Sequence, residues 1–141
     1  MYGLKTEASF DAAHFLKGYK GKCSNLHGHR WRVVLSVKAE ELISEQDIQH
    51  SGMIVDFGDL KGDLKHEADL LDHSLIYEKD SLRPTTIAAL KEEEFRLVEV
   101  AFRPTAENFA KFFFDKMKTY GYKVAQVEVY ETPNNCAVYY E

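Results

Sequence analysis

The chain has 141 residues, of which 45% are hydrophobic, and a formal net charge of −5 at pH 7. This length suits a single domain, and the hydrophobic fraction argues against a disordered chain. The negative charge argues against direct binding to nucleic acids or anionic membranes. Two cysteines are too few for a disulfide framework, and no apolar segment has the length of a secretion signal or a membrane span. We therefore expect one cytoplasmic domain over residues 1–141.

The first half of the chain predicts two strands followed by a helix. Residues 2–10 alternate loosely between apolar and polar side chains, and residues 30–38 are rich in β-branched and aromatic residues. Both segments favour strands that pair as a hairpin. Residues 40–52 are polar and turn-like, and the short apolar run 53–57 leads into a helix over residues 58–71, where apolar residues recur at helical spacing.

The middle of the chain has a weaker pattern. Residues 84–94 predict a helical turn at their start, and residues 95–102 favour a strand. The segment from Arg83 to Arg96 indicates no function.

The last part of the chain predicts a second long helix and two more strands. The helix begins at Pro104 and Thr105 and ends at Gly121, a residue type that readily adopts left-handed backbone angles. Residues 123–131 and 136–140 then favour strands. The apolar face of the helix consists of Ala106, Phe109, Ala110, Phe113 and Met117.

Three histidines and a cysteine lie within sixteen residues, where Cys-Ser-Asn-Leu-His-Gly-His over residues 23–29 follows His14. Side chains at i and i+2 of an extended segment share a face, so His27 and His29 can bind one ion, and His14 can join them from a neighbouring strand. Gly28 lets the backbone approach closely. Three histidines with an open fourth position are typical of catalytic zinc (Zn²⁺) sites. Taken alone, His-Gly-His is also compatible with a surface turn that binds no metal.

Cys23 has two interpretations. It is either a fourth zinc ligand that closes the site, or a free nucleophile or base beside the ion. Lys17, Lys20 and Lys22 precede it, and nearby cations favour the reactive thiolate form. We favour the catalytic interpretation.

Six ordered segments of the chain form a specific set. They are Phe10 to His14, Cys23 to His29, Gly52 to Phe57, Leu71-Asp72-His73, Pro104 to Asn108, and Val129 to Thr132 followed by Asn134-Asn135. The set resembles the 6-pyruvoyl tetrahydropterin synthase and 6-carboxytetrahydropterin synthase family. The resemblance implies an α+β tunnelling fold, in which a four-stranded antiparallel sheet carries two helices on one face. It also implies that three sheets join into a barrel and that two trimers stack into a homo-hexamer.

One loop length distinguishes the branches of this family. Three residues separate Cys23 from His27, whereas the pyruvoyl enzymes usually have a longer spacing there. The short form is similar to the 6-carboxytetrahydropterin synthases of queuosine and deazapurine biosynthesis. This similarity implies zinc-dependent conversion of 7,8-dihydroneopterin triphosphate to 6-carboxy-5,6,7,8-tetrahydropterin, with release of acetaldehyde and triphosphate.

The resemblance also implies roles for three residues in proton transfer. Cys23 would take and return protons, His73 would assist it, and Asp72 would orient His73 while the three histidines bind zinc. Adjacent residues on a helix or strand point apart, so Asp72 and His73 can act together only if they lie in a loop. Without the other segments, an Asp-His pair after a helix is more often a cap or a solvated turn. The family's sites lie between subunits, which implies that Asp72 and His73 face a neighbour's Cys23.

Four residues are implied to bind the substrate. Glu131 occupies the position of the pterin anchor, where a carboxylate can accept from the 2-amino and N3–H groups. Thr105 and Glu107 lie near the pterin in the family, although Thr105 can also cap a helix and Glu107 can complement its dipole. Lys22 and the two lysines before it either hold the triphosphate or form a solvated face.

Three functions remain open from the sequence. The first is the carboxytetrahydropterin lyase. The second keeps the fold and the zinc but forms 6-pyruvoyl tetrahydropterin, or cleaves dihydroneopterin as an aldolase does. The third is a non-catalytic zinc protein in which Cys23 completes the metal shell. The first two require a small-molecule pterin as the partner.

Overall fold

The computed structural model describes residues 1–141 as nine helices and strands, with one turn of 3₁₀ helix at Lys22–Ser24. In chain order they are β1 (Tyr2–His14), β2 (His27–Ala39), α1 (Phe57–Asp69), β3 (Ser74–Glu78), α2 (Pro84–Glu92), β4 (Leu97–Val100), α3 (Ala106–Thr119), β5 (Val124–Thr132) and β6 (Asn135–Tyr140). None of the three helices is both long and apolar enough to span a bilayer.

All six strands form one sheet in the order β4-β3-β1-β2-β5-β6. The sequence predicts five of these strands. Four of them, β1, β2, β5 and β6, pair antiparallel, and the fifth, predicted over residues 95–102, is β4. The expectation of a four-stranded, purely antiparallel sheet is nevertheless wrong, because β3 pairs parallel with β1 and β4 pairs parallel with β3. A short apolar run such as β3 gives no periodic signal of its own. Its pairing depends on the crossover through α1, which returns the chain to the open edge of β1.

Both strands of the predicted hairpin are longer than expected. β1 continues to His14 and β2 begins at His27, so these two residues lie opposite each other in the ladder. All three histidines therefore belong to the ends of strands, just beyond the strand bounds of residues 2–10 and 30–38 that the sequence predicts. The hydrogen-bonded ladder fixes their backbones more rigidly than a loop would.

Helices α1 and α3 cover one face of the sheet because each has an apolar stripe at helical spacing. α1 buries Leu60, Leu64 and Ala68. They pack against every second side chain of β2, beginning at Trp31. The two predicted helices are thus confirmed, and α2 is a third, short helix that buries no residue. The buried apolar residues of α3 are Phe109, Ala110, Phe113, Phe114 and Met117.

The opposite face of the sheet is polar, because side chains alternate along each strand. Its ion pairs are Lys5 with Glu128, Arg32 with Glu7, and Arg30 with Asp11. The histidines lie on the helix-covered face, with Phe10 and Trp31.

Two tyrosines join the end of α3 to α1. The Tyr122 hydroxyl donates to Asp63 Oδ2 at 2.5 Å, and the Tyr120 hydroxyl donates to Glu67 Oε1 at 2.9 Å. The two rings stack with their centroids 6.3 Å apart. Burial, together with the bond to Asp63, raises the pKa of Tyr122 above its usual value of 10.0.

Replacing Tyr122 by phenylalanine is expected to lower the free energy of unfolding by about 1–2 kcal/mol, because the Asp63 carboxylate loses a partly buried donor. The hydroxyl must be protonated to donate. Because the folded pKa is raised, the contribution is complete below the ordinary pKa of 10.0 and declines as the pH rises above it. Urea denaturation at about pH 8 and about pH 10.5 measures both effects. The control is Tyr140→Phe, since the exposed Tyr140 has no hydrogen-bond partner; equal stability of the two variants would contradict the expectation.

Candidate metal centre and active site

The three histidines meet at the adjoining ends of β1 and β2. His14 lies opposite His27, and His29 lies opposite Ala12 in the same ladder. One ring nitrogen from each histidine lies within 4.8 Å of the others. The side chain of His14 is almost completely buried, at 1% exposure. The predicted cluster is therefore present on one face of the sheet and can hold a metal ion.

The tautomers of two of these rings follow from their partners. His14 Nδ1 lies 2.7 Å from the Pro104 carbonyl oxygen, and His27 Nδ1 lies 2.7 Å from the Asn25 carbonyl oxygen. A carbonyl oxygen only accepts, so both Nδ1 atoms carry the proton and donate. In the neutral rings both Nε2 atoms then have a free lone pair, and these two atoms are 3.2 Å apart. Two facing lone pairs repel each other unless a cation or a proton lies between them.

Two further polar groups lie at the same place. The Nε2 atom of His29 is buried and has no hydrogen-bond partner. Glu131 Oε1 lies 3.4 Å from His14 Nε2 and 3.5 Å from His29 Nε2. A buried ring nitrogen without a partner, such as His29 Nε2, is costly. Imidazole nitrogens are typical zinc ligands, so the residues present fit a bound metal ion such as zinc.

Burial also keeps the histidines in the form that binds metal. Burial lowers the pKa of His14, and it lowers that of His29 as well. Both rings are thus neutral near pH 7, and only a neutral imidazole can donate a lone pair to a metal ion.

Trp31 supports the histidines from the core. Its ring lies edge-on to His14 at a centroid distance of 4.9 Å and edge-on to His29 at 5.5 Å. Sequence reasoning did not assign this role, although Trp31 shares a strand face with His29 at spacing i+2 and that spacing indicates the contact. The carbonyls of Pro104 and Asn25 were also missed, since backbone acceptors leave no mark in the sequence.

Cys23 and three of the implied substrate-binding residues line one cavity. The cavity has a volume of about 310 Å³ and includes Cys23, Thr105, Glu107 and Glu131. Cys23 is half-buried in the 3₁₀ turn, and its carbonyl accepts from the Leu16 N–H at 2.9 Å. Its sulfur does not belong to the ligand atoms that cluster with the histidines. This geometry favours a free thiol beside the metal site over a fourth ligand.

The start of α3 places Thr105 and Glu107. The Thr105 hydroxyl accepts from the Asn108 N–H at 3.3 Å and caps the helix, and Glu107 lies in its first turn. Both residues therefore complement the helix start while they line the cavity. Lys22 is exposed and lines no part of this cavity, so its role in triphosphate binding stays a prediction.

The Asp72–His73 pair lies in the turn between α1 and β3, as its sequence required. The Asp72 carboxylate accepts from the Asp11 N–H at 2.7 Å and from His73 Nδ1 at 2.9 Å. The Asp11 N–H is the larger cause, and His73 the next, of a lowered pKa of Asp72. Asp11 itself is paired with Arg30. Asp72 is thus ionised at neutral pH and orients the His73 ring.

The structure does not bring this pair together with Cys23 within one chain. The His73 side chain is 79% exposed. It lines a separate cavity of about 670 Å³, whose lining also includes Arg30, Phe95 and Arg96. Cys23 and His73 therefore line different cavities, although His29 of the histidine cluster also borders the cavity of His73.

A sequence profile of the family described as 6-pyruvoyl tetrahydropterin synthase matches residues 3–141. The chain belongs to the 6-pyruvoyl tetrahydropterin synthase family. Among curated relatives, the 6-carboxy-5,6,7,8-tetrahydropterin synthase of Haemophilus influenzae is 34% identical over 100% of both chains. A protein of the same name from Aquifex aeolicus is 36% identical over 85% of this chain and 76% of its own.

Solved structures agree with this family assignment at the level of the fold. The 6-pyruvoyl tetrahydropterin synthase of Caenorhabditis elegans superimposes with a TM-score of 0.70 at 24% identity, covering 99% of this chain and 95% of its own. An uncharacterized protein from Wolinella succinogenes reaches a TM-score of 0.83 at 23% identity, covering 99% and 98%. The predicted α+β tunnelling fold is confirmed, with six strands in the sheet.

Proposed function

We propose that this member of the family is a zinc-dependent carbon-carbon lyase, a 6-carboxy-5,6,7,8-tetrahydropterin synthase. It would convert 7,8-dihydroneopterin triphosphate and water to 6-carboxy-5,6,7,8-tetrahydropterin, with release of acetaldehyde and triphosphate, in an early step of queuosine and deazapurine biosynthesis. The observation that carries the proposal is the convergence of three imidazole nitrogens beside a cavity lined by Cys23 and Glu131. The name shared by the two bacterial relatives and the short spacing from Cys23 to His27 support this branch.

The metal would be held by His14, His27 and His29. When bound there, zinc supplies a Lewis acid that polarises an oxygen of the substrate side chain. The carbonyls of Pro104 and Asn25 keep two of the rings turned so that their Nε2 atoms face the site. Hydrogen bonds from the second ring nitrogen to such acceptors orient a metal-binding histidine and increase its basicity.

The pterin ring would occupy the cavity beside the histidines. Its volume of about 310 Å³ lies at the lower end of the range for small-molecule sites, about 300–1,000 Å³. The Glu131 carboxylate would accept from the 2-amino and N3–H groups, which present a paired donor edge. Thr105 and Glu107 would border the ring from the start of α3.

Proton transfer would fall to Cys23 and the Asp72–His73 pair. The Cys23 thiolate would take a proton from the substrate side chain, and His73, held by the Asp72 carboxylate, would assist the transfer. The family resemblance implies that a second copy supplies the pair to each site, and the different cavities that His73 and Cys23 line in one chain are consistent with this. We also propose the homo-hexamer that the family resemblance implies, and a cytoplasmic location in which both thiols stay reduced.

Product identification tests this function directly. Purified, zinc-loaded protein is incubated with 7,8-dihydroneopterin triphosphate, and the products are identified by mass spectrometry, with metal-stripped protein as the control. We expect 6-carboxy-5,6,7,8-tetrahydropterin and acetaldehyde only from the zinc-loaded protein. A pyruvoyl or hydroxymethyl pterin would contradict the branch assignment. No turnover of this substrate would contradict the lyase proposal.

A further inference from the structure

One arginine binds the turn that carries the Asp72–His73 pair. A terminal nitrogen of Arg96, Nη1, donates to the Asp72 carbonyl at 2.7 Å and to the Asp69 carbonyl at 3.3 Å. The other, Nη2, donates to the Leu70 carbonyl at 2.7 Å. One guanidinium thus joins three carbonyls within four consecutive residues at the end of α1.

Most of these carbonyls need an outside partner, since only the Asp69 carbonyl accepts a backbone hydrogen bond within the turn, from the Asp72 N–H at 3.3 Å. The last carbonyls of a helix have no intrahelical donor, and a positive charge there also complements the helix dipole. The Leu71 carbonyl, which Arg96 does not reach, accepts from the Ser74 hydroxyl at 2.6 Å. Arg96 and Ser74 therefore provide donors for the whole run of carbonyls from 69 to 72.

The turn is held on its other side by β1. The His73 N–H donates to the Asp11 carbonyl at 2.7 Å, and the Asp72 carboxylate accepts from the Asp11 N–H. His73 has a left-handed φ of 52°, a conformation that persists only where the surroundings enforce it. Arg96 and Asp11 therefore hold this strained turn from two sides.

The backbone around Arg96 is itself fixed against the turn. Its carbonyl accepts from the Leu75 N–H at 3.0 Å, and the next residue begins β4, which pairs with β3. Just before it, the Phe95 N–H donates to the Leu90 carbonyl at 3.2 Å at the end of α2. The sequence assigns no function to the segment from 83 to 96. At its end, the backbone holds the guanidinium of Arg96 against the turn that carries Asp72 and His73.

We propose that Arg96 is a positioning residue that fixes the Asp72–His73 pair for proton transfer. The inference rests on the proposed function of that pair. Arg96 is exposed, so water can replace its hydrogen bonds without loss of the fold. Its contribution is to the geometry of the turn, and small errors in the placement of a proton-transfer group reduce the rate.

The test compares Arg96→Ala with Arg83→Ala. Arg83 is an exposed arginine of the same segment whose side chain makes no ion pair or hydrogen bond, so it controls for charge. We expect Arg96→Ala to lower kcat about 10- to 100-fold while KM changes less than about twofold, because the pair is misplaced and the pterin cavity is intact. We expect Arg83→Ala to retain wild-type kcat and KM.

Two readouts separate positioning from a general loss of structure. Hydrogen exchange followed by mass spectrometry should show faster exchange in the peptide that spans residues 70–75 and unchanged exchange in the core of β1 and β2. Added guanidinium ion or the Arg96→Lys variant should restore part of kcat. Loss of zinc, or faster exchange throughout the core, would overturn the inference in favour of a structural role. If Arg96→Ala does not fold, Arg96→Gln decides, and a folded Arg96→Gln protein with wild-type kcat and unchanged exchange in residues 70–75 would overturn the inference.

Failure of the inference and failure of the proposed function are distinguishable. If the wild-type protein turns over the substrate and Arg96→Ala does so equally well, only the role of Arg96 is wrong. If the wild-type protein gives no turnover, the proposed function is wrong. In that case hydrogen exchange still tests the inference. Unchanged exchange in residues 70–75 of Arg96→Ala would show that the hydrogen bonds of Arg96 do not hold the turn.

Discussion

Replacing His29 by alanine is expected to remove both the zinc ion and turnover. The Nε2 atom of His29 is buried without a hydrogen-bond partner, so metal binding is the role that its position indicates. Loss of a residue that only hydrogen-bonds to a metal ligand weakens metal affinity about 10- to 100-fold, so we expect loss of a direct ligand to weaken it by more than about 100-fold. Inductively coupled plasma mass spectrometry after gel filtration measures the zinc per chain, and the product assay measures turnover.

His29 suits this experiment better than His14. The His14 ring is fully buried and bonded to the Pro104 carbonyl, so its removal also disturbs the core, whereas the His29 side chain is 20% exposed. The matched control is His66→Ala, since His66 is an exposed histidine of α1 outside the cluster. It should retain zinc and activity. Full zinc content in a folded His29→Ala protein would refute the proposed ligand set.

Replacing Cys23 by alanine is expected to abolish most turnover while zinc stays bound. The sulfur is not one of the clustered ligand atoms, so the three histidines keep the ion. A general base contributes typically about 10²- to 10⁴-fold, and we expect a loss of kcat in that range. Zinc content and single-turnover product formation are measured on the same preparation.

Cys136→Ala is the control for this variant. Cys136 is the second free thiol and lines the same cavity, yet it has no assigned role in proton transfer. We expect its kcat to stay near the wild-type value. If Cys23→Ala loses zinc, Cys23 closes the metal shell and the non-catalytic interpretation is correct. If Cys23→Ala keeps both zinc and wild-type kcat, another group is the base.

Local patterns in the sequence determined much of the fold and of the metal site. The i, i+2 spacing of His27 and His29 places both side chains on one strand face, and pairing with β1 brings His14 beside them. The apolar stripe of α3 likewise follows from helical periodicity. These features were predictable because each depends on the repeat of one element, or on two strands that are neighbours in the chain.

Only the tertiary structure decided the contacts between distant segments. The parallel strands β3 and β4, the Pro104 carbonyl on His14 and the Arg96 guanidinium at the end of α1 each join parts of the chain that no local repeat relates. Local patterns also do not determine how far His73 lies from Cys23, because that separation depends on which cavity each side chain lines. Periodicity determines the face on which a side chain lies, whereas the packing of whole elements determines which groups it meets.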